Sequence, residues 1–319
     1  MSEAPSISVV LSTRNRADSL ARLLEGLARQ VDAPPFEVIV ADNGSTDGTP
    51  ELLRRGHPGL NLRSVRVDTP GKGRALNAAL RLATGELVVF TDDDVEPDPR
   101  WLAEIYAGAE RYPDCAVFGG RIDVNRAAVP AWVRRSHNLM GLLTTEHRPA
   151  EADAIYGYGR YPFGPNMAVR LQRLRGLDRP YPEDMGPGTE IPVGDESAFF
   201  LRFSPPEATD RRYLAAARVF HAVDDAHTGF VSALRRSLHQ GRAQGLLGIP
   251  VVPADPNAGA HTNARSFARA ALARIRACGS LRELLCVVVR HVGYLQGTRL
   301  RRRAELRPTS GRVPAGSCS

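Results

Sequence analysis

The N-terminal third of the chain alternates between two hydrophobic patterns. Short apolar runs rich in Val and Ile are separated by longer segments in which Leu or Ala recurs about every three to four residues. The first pattern is typical of buried strands and the second of amphipathic helices. The alternation of the two patterns predicts strands at 7–13, 37–42, 62–68 and 86–92, and helices at 16–30, 47–55, 73–83 and 99–111. Asn15 is predicted to cap the first helix and Gly85 to end the third.

Strands that alternate with helices of this length predict the fold class. We expect an α/β fold with a Rossmann-like mixed, mostly parallel sheet and helices on both of its faces. In such sheets, ligands bind beyond the carboxyl ends of the strands. Polar and charged residues gather at those ends, in segments 13–16, 42–44, 68–72 and 92–94. The pattern therefore predicts a crevice suited to a nucleotide.

The second half of the chain is less regular. Residues 130–165 are dense in Tyr, Gly and Pro and are predicted to be loops, whereas the chain after Arg211 is basic and is predicted to be helical. We expect a catalytic domain over residues 1–210. A helical region over 211–305 would complete or flank the acceptor site, and residues 306–319 would form a disordered tail.

The net charge and the cysteine content limit the classes of partner and the cellular compartment that we expect. The net charge of +7 would suit a nucleic acid, but the basic residues are almost all Arg, with Lys72 as the only lysine, and no aromatic-interleaved RNA motif accompanies them. We expect an anionic small substrate and no nucleic-acid partner. No secretory signal and no run of about 18 uncharged apolar residues is visible, and the four cysteines show no CxxC spacing. A cytoplasmic protein with free thiols is expected.

Three adjacent carboxylates, Asp92, Asp93 and Asp94, follow the apolar run that ends the strand at 86–92. Neighbouring carboxylates repel one another unless a cation lies among them. Alternate residues of an extended segment point the same way, so Asp92 and Asp94 share a face. Oxygen ligands of this kind suit Mg²⁺ or Mn²⁺ together with phosphate oxygens. The cluster predicts a divalent metal site, with a solvated acidic turn as the alternative.

Two glycine-bearing segments are candidates for nucleotide contacts. Asp42 could accept a hydrogen bond from a base or a ribose, and Gly44 would let the backbone approach a ligand closely. The alternative is a plain turn that caps a helix. Gly71-Lys72-Gly73-Arg74 precedes a helix and offers backbone N–H groups and two cations to a phosphate.

Two later segments could supply further chemistry. Asp195 and Glu196 precede an apolar helical run, so one of them could act as a general base, or both could simply favour the start of the helix. His221 ends the strand-like run ARVFH. It could bind a metal or a phosphate, or it could be structural.

Taken together, these motifs resemble those of the family 2 glycosyltransferases, which have the GT-A fold. The resemblance rests on six segments in the family's order: VVLSTRNR, VIVADNGSTDGT, GKGRALNAALRLATGELVVFTDDD, FGPNMAVR, GDESAFFLR and VFH. They extend over roughly two thirds of the chain. The order of the six segments is what indicates this family, since each segment alone is common in proteins.

The resemblance assigns roles to these residues. The residues implied to bind the nucleotide sugar are Thr13, Arg14, Asn15, Asp42, Gly44, Lys72, Arg74, Asp92, Asp93 and Asn166. The metal ligands implied are Asp94, Asp92 and His221, and the ion would be Mn²⁺ or Mg²⁺. Glu196 aligns with the family's catalytic base. The family usually has Glu-Asp here and this chain has Asp-Glu, so Asp195 remains the alternative base.

The function implied is inverting transfer of a sugar from a nucleoside diphosphate sugar, with UDP as the default carrier, to an acceptor hydroxyl. The acceptor could be a glycan, a lipid-linked glycan or a specialised metabolite. One rival is a sugar-phosphate nucleotidyltransferase, which would carry a Gly-rich loop where this chain has STRNRADSL. Another is a non-catalytic sugar-nucleotide-binding module, which would lack the acid cluster or the base.

The apolar segment 281–292 and the basic segment Thr298–Arg303 adjoin near the C-terminus. Such a pair can lie on an anionic membrane surface, which would make the protein peripheral at the inner face of the membrane. Alternatively, the apolar residues dock on the catalytic domain. Docking is the favoured interpretation, because the segment shows no clear amphipathic pattern.

Overall fold

A computed structural model describes residues 4–223, 228–249, 272, 275–276 and 278–305. The strands are β1 Ile7–Thr13, β2 Phe36–Asp42, β3 Leu62–Arg66, β4 Leu87–Phe90, β5 Val95–Pro97, β6 Val117–Val124, β7 Ala154–Ile155, β8 Met167–Arg170 and β9 Arg211–His221. The helices are α1 Ala17–Ala28, α2 Thr49–Arg55, α3 Lys72–Leu80, α4 Trp101–Arg111, α5 Ala131–Arg134, α6 His137–Thr144, α7 Asp195–Leu201, α8 Phe230–Leu247 and α9 Leu281–Glu305.

Within these residues the strands form one nine-stranded sheet in the order β3-β2-β1-β4-β8-β6-β9-β5, with β7 added beside β9. The pairs β1–β2, β2–β3, β1–β4 and β6–β9 are parallel, whereas β8 is antiparallel to both β4 and β6. The predicted mixed, mostly parallel α/β sheet is therefore confirmed. The carboxyl ends of β1, β2 and β4 meet at one edge, where the predicted crevice lies.

Hydrophobic cores cover both faces of the sheet. Along β1, Val9 and Leu11 belong to the core beneath α1 and α4, whereas Val10 belongs to the core beneath α3 and α7. The two cores explain why β1, β2 and β4 carry apolar residues on both of their faces, since neither face meets solvent. Cys115 and Cys286 are free thiols, as predicted.

Two local predictions are wrong. Asn15 does not cap α1. Its side-chain oxygen accepts from the Thr46 amide at 2.7 Å, and Asp47 instead accepts from the Ala17 amide at the helix start, at 3.1 Å. Gly85 does not end α3, which stops at Leu80. A Cβ atom at Gly85 would lie 2.6 Å from the backbone of Ile7, so the glycine allows close approach to β1.

The prediction of helix from Arg211 onward is wrong for its first eleven residues, which form β9. Arg211 is fully buried, and its guanidinium donates to the carbonyl oxygens of Pro205 and Pro206 at 2.7 and 2.8 Å. The helical region starts only at α8. We therefore propose that the catalytic domain extends to His221, because a boundary at residue 210 would separate β9 from β6. The predicted disordered tail lies outside the described residues.

The two C-terminal helices pack backbone against backbone. Gly241 and Gly245 of α8 face Gly293 and Gly297 of α9, and a Cβ atom at any of the four would overlap a backbone carbonyl oxygen of the other helix. The apolar side chains of α9 do not make this contact. Its opposite face exposes Leu281, Leu285, Val288, Val292 and Leu295. Among the described helices, none is long and apolar enough to cross a membrane, and peripheral membrane contact through α9 stays a prediction.

Gly241→Ala is expected to lower the free energy of unfolding by about 2 kcal/mol, because overpacking a closed helix contact typically costs that much. The new methyl group would meet the Arg290 carbonyl oxygen and force α8 and α9 apart. Gly229→Ala, just before α8, is the matched control, since a Cβ atom there meets no atom within 4 Å. Urea unfolding followed by circular dichroism measures both. Equal stability of the two variants would contradict the close packing.

Candidate functional site

A cavity of about 290 Å³ opens at the carboxyl ends of the parallel strands, and we call it the edge pocket. It is lined by Ser12, Thr13, Arg14, Arg16, Asn43, Gly71, Lys72, Asp92, Asp93, Asp94, Pro187 and Gly188. Most of these residues come from the loops that follow β1, β2 and β4 and from the start of α3. The position agrees with the rule for ligand sites in open α/β sheets.

A second cavity, of about 320 Å³, lies between α5 and the start of α9. Its one acidic residue, Glu283, is hydrogen-bonded by the Ser136 hydroxyl. The contact joins α9 to the turn before α6, so this cavity is structural. The candidate chemistry lies in the edge pocket.

The acid cluster of the edge pocket is held by cations and a hydroxyl. Asp93 accepts from the Thr13 hydroxyl at 2.6 Å and from Arg16 at 3.3 Å. Burial raises the pKa of Asp93 to about 6. Arg16 also donates to Asp94 at 2.7 Å. Burial alone would raise the pKa of Asp94, but His221 and Arg16 outweigh it and hold that pKa well below its usual range.

Asp92, Asp94 and His221 form the one group of described residues that could hold a metal ion. One ligand atom from each lies within 4.8 Å of the other two. The Oδ1 atom of Asp94 is buried without a hydrogen-bond partner, and the Nε2 atom of His221 lies 3.4 Å from it. His221 arrives from the end of β9, which pairs with Val95 of β5. An O,O,N ligand set of this kind fits Mn²⁺ or Mg²⁺.

Lys72 connects the acid cluster to the second group of carboxylates. Its Nζ atom lies 2.7 Å from Oδ1 of Asp92. Burial disfavours the charge on Lys72, but Asp92, Asp195 and Glu196 outweigh it and raise the pKa of the amine above its usual value. The lysine is therefore a fixed positive charge between the two groups of acids.

Asp195 and Glu196 begin α7, where Asp195 is buried and Glu196 is half-buried. Glu196 packs against Gly164, where a Cβ atom would overlap its Oε1. Burial and the neighbouring Asp195 charge raise the pKa of Glu196 to about 7. Burial also raises the pKa of Asp195, against the opposing effect of Lys72, and its Oδ2 has no hydrogen-bond partner. A carboxylate with a pKa near 7 suits a general base at neutral pH.

The structure brings five of the ten predicted nucleotide-sugar contacts to the lining of the edge pocket and leaves the other five outside it. The five in the lining are Thr13, Arg14, Lys72, Asp92 and Asp93, and the predicted metal ligand Asp94 also lines the pocket. Those outside the lining are Asn15, Asp42, Gly44, Arg74 and Asn166. Of the predicted catalytic and metal residues, His221 contacts Asp94, and Asp195 and Glu196 interact with Lys72.

Two of the predicted contacts outside the lining, Asp42 and Gly44, lie at the end of β2 and just after it. Asp42 is almost fully buried, and it accepts from the Ser45 amide and from Arg66, each at 2.8 Å. Gly44 has a φ of 73°, which lets the same loop turn. These two residues therefore shape the wall of the edge pocket.

Arg74 and Asn166 also have structural partners. Arg74 donates to the Pro70 carbonyl oxygen at 3.0 Å and pairs with Glu183 at 3.4 Å. Asn166 is fully buried: it accepts from Trp101 Nε1 and donates to the carbonyl oxygens of Arg121 and Ala217, each at 2.9 Å. Asn166 thus joins α4, β6 and β9 and has no exposed atom to offer a ligand.

Sequence reasoning missed several residues of the lining. Arg16 and Asn43 lie in segments that were expected to form the crevice, but they were not among the predicted contacts. A cation just after a strand end was the available signal for Arg16. Pro187 and Gly188 come from a loop more than a hundred residues away, and the Lys72 amide donates to the Pro187 carbonyl oxygen at 3.3 Å. No local pattern pointed to that loop.

Comparisons with known proteins give curated relatives that are longer than this chain. Validoxylamine A glucosyltransferase of Streptomyces hygroscopicus subsp. limoneus is 38% identical over 109 residues, which are 33% of this chain and 24% of that protein. The poly(ribitol-phosphate) beta-N-acetylglucosaminyltransferase TarS of Staphylococcus aureus is 29% identical over 184 residues, 56% of this chain and 30% of that protein. The matched regions thus span less than a third of these relatives.

Two solved structures share the fold. The mannosyltransferase PcManGT of Pyrobaculum calidifontis, in complex with GDP-Man and Mn²⁺, superposes with a TM-score of 0.57 at 23% identity, over 92% of this chain and 88% of that one. Residues 1–349 of S. aureus TarS superpose with a TM-score of 0.52 at 19% identity, over 94% and 92%. The model of the family "Glycosyl transferase family 2" matches residues 8–170, about half of the chain. The chain therefore belongs to glycosyltransferase family 2.

Proposed function

We propose that this protein is a metal-dependent, inverting glycosyltransferase that moves a sugar, a hexose or its derivative, from a nucleoside diphosphate sugar to an acceptor hydroxyl. The observation that carries the proposal is that Lys72 connects the acid cluster to the Asp195–Glu196 pair at one edge of the sheet. UDP is the first candidate carrier, because a structure of TarS, which shares the fold, is in complex with UDP-GlcNAc. The complex of PcManGT with GDP-Man makes GDP the second.

In the proposed reaction, Asp92, Asp94 and His221 hold the divalent ion. The ion, when bound, supplies positive charge to the diphosphate and to the departing nucleotide. Arg16 and Lys72 pair with Asp94 and Asp92 in this structure and line the edge pocket. Both cations therefore stand where they can donate to phosphate oxygens once the donor enters.

Glu196 is the proposed general base. It accepts the proton of the acceptor hydroxyl while that oxygen bonds to the anomeric carbon, and the bond from this carbon to the diphosphate oxygen breaks. Attack from the face opposite the leaving group inverts the anomeric configuration. Asp195 is the alternative base, since its Oδ2 has no hydrogen-bond partner. The raised pKa of Glu196, about 7, favours Glu196.

The rival functions lack specific support. A sugar-phosphate nucleotidyltransferase would carry a Gly-rich loop after β1, but the residues there are STRNRADSL, and Arg14 and Arg16 line the edge pocket. Release of pyrophosphate from a nucleoside triphosphate and a sugar phosphate would revive this rival. A non-catalytic module needs no buried carboxylate pair next to the edge pocket. Glycans, lipid-linked glycans and specialised metabolites are the classes of acceptor to test.

The rate of donor hydrolysis, with water as the acceptor, is expected to rise with pH and to level off above a midpoint near 7. The base must be a carboxylate, and burial together with Asp195 raises the pKa of Glu196 to about 7, so the protonated, inactive form dominates below that pH. Rates from pH 5.5 to 9 at a fixed free Mn²⁺ concentration measure the midpoint. A rate that is flat down to pH 5.5 would contradict the assignment.

A screen for the donor tests the proposed function as a whole. The purified protein with Mn²⁺ is heated with each of a panel of sugar nucleotides, and the donor is expected to raise the unfolding temperature. The stabilising compound is then followed for slow hydrolysis to the free nucleotide and sugar. Stabilisation without any nucleotide release, with water or with a panel of acceptors, would favour the non-catalytic module.

A further inference from the structure

Arg236 of α8 lies near the proposed base, although it belongs to neither group of acids. Its half-buried guanidinium interacts electrostatically with Glu196 and Asp195. The same face of α8 touches the start of α7, because Ala243, seven residues on, lies 2.7 Å from where a Cβ atom of Gly194 would stand. Residues seven apart share a helix face. The packing of α8 therefore turns the face that carries Arg236 toward the start of α7, where the carboxylate pair lies.

The guanidinium of Arg236 has no hydrogen-bond or ion-pair partner among the described residues. Arginine carries five N–H donors in a fixed fork and stays protonated in proteins. Burial disfavours its charge and lowers its pKa, which Glu196 and Asp195 only partly oppose. A shielded guanidinium without acceptors is unfavourable in the free protein. It matches a ligand that brings anionic oxygens.

The position of Arg236 separates this ligand from the nucleotide. Arg236 is not part of the lining of the edge pocket, where Arg16 and Lys72 serve the diphosphate. A general base must contact the acceptor hydroxyl. A cation close to Glu196 but outside the edge pocket therefore faces the acceptor.

We propose that Arg236 binds an anionic group, a phosphate or a carboxylate, on the acceptor, close to the hydroxyl that Glu196 deprotonates. This inference rests on the proposed function and narrows its acceptor to an anionic molecule. Arg236 would fix the orientation of the acceptor through paired N–H donors, as arginine does with carboxylates and phosphates.

A binding experiment tests the inference with inorganic sulfate as the probe, on the full chain saturated with UDP and Mn²⁺ so that the edge pocket is filled. Sulfate is expected to raise the unfolding temperature more than NaCl of equal ionic strength. Arg236→Gln should weaken the apparent sulfate affinity about tenfold or more, the loss expected for a hydrogen bond to a charged group. Arg235→Gln, at an exposed position of α8, is the matched control and should bind sulfate as the wild type does.

A second arm compares matched acceptors by the release of UDP from the donor. Glycerol 3-phosphate is paired with glycerol, and glucuronate with glucose, so that the two pairs distinguish phosphate from carboxylate. The anionic member of at least one pair should be preferred, and Arg236→Gln should remove that preference, whereas Arg236→Lys should retain part of it. If the protein uses none of these four acceptors, the sulfate affinities of the wild type and Arg236→Gln alone test the inference.

Equal sulfate affinity in Arg236→Gln and the wild type, or equal use of charged and neutral acceptors, would overturn the inference. If sulfate binds as an adventitious ion only, all variants bind it equally, which is the result of equal affinity named first. Failure of the proposed function would look different. Neither UDP nor GDP with Mn²⁺ would then stabilise the protein, and no donor would be hydrolysed.

Discussion

Asp94→Asn is expected to lower the rate of donor turnover by about 10³-fold, because a divalent ion typically contributes several kcal/mol to stabilising the charge of the leaving group. Asp94 offers the buried Oδ1 that has no hydrogen-bond partner, next to His221 and Asp92. An amide at this position removes the negative charge that a cation requires. Single-turnover release of the nucleotide, at saturating Mn²⁺, measures the effect.

Two controls make the Asp94 result specific. Asp114→Asn changes an exposed aspartate far from the edge pocket and should keep full activity. Circular dichroism should show the same secondary structure in Asp94→Asn as in the wild type. The ion pair with Arg16 is lost, so a somewhat lower unfolding temperature is expected. If the chelator-treated wild type remained fully active, the metal assignment would be wrong.

Glu196→Gln is expected to lower sugar transfer by roughly 10²–10⁴-fold, the usual contribution of a general base, while donor binding stays close to that of the wild type. Glu196 lies outside the lining of the edge pocket, so its amide should leave the nucleotide contacts intact. The pH midpoint near 7 should disappear together with the rate. Donor affinity by calorimetry and transfer by nucleotide release separate the two effects.

Comparison with Asp195→Asn identifies the base. Full activity in Glu196→Gln with loss of activity in Asp195→Asn would assign the role to Asp195. Activity in both variants would remove α7 from the mechanism. Glu110→Gln, at an exposed position of α4, is the control for a charge change far from the site.

The sequence was most informative where one segment determines its own environment. The buried strands β1, β2 and β4 were predictable because a strand covered on both faces is apolar at most of its positions. The acid cluster was predictable because its carboxylates follow such a strand directly. In both cases, the residues that form the pattern are adjacent in the chain.

Contacts between distant segments were not predictable from local patterns. Asn15 is predicted to cap α1, but Asp47 accepts from the amide of Ala17, thirty residues before it in the chain. Asn166 is predicted to bind the nucleotide sugar because its motif matches the family, whereas its hydrogen bonds go to Trp101 and to carbonyl oxygens 45 and 51 residues away. The pairing of Arg16 with Asp94, 78 residues apart, requires β1 and β4 to be neighbours.

The binding of Mn²⁺ together with a nucleoside diphosphate tests the central claim most directly, because it needs neither the sugar nor the acceptor. Free Mn²⁺ is measured by its electron paramagnetic resonance signal while the protein is titrated with UDP, GDP, CDP or ADP. We expect one of these nucleotides to promote uptake of Mn²⁺ by the wild type, and Asp94→Asn to take up little. Uptake that no nucleotide promotes, or equal uptake by Asp94→Asn, would contradict a nucleotide-dependent metal site at Asp92, Asp94 and His221.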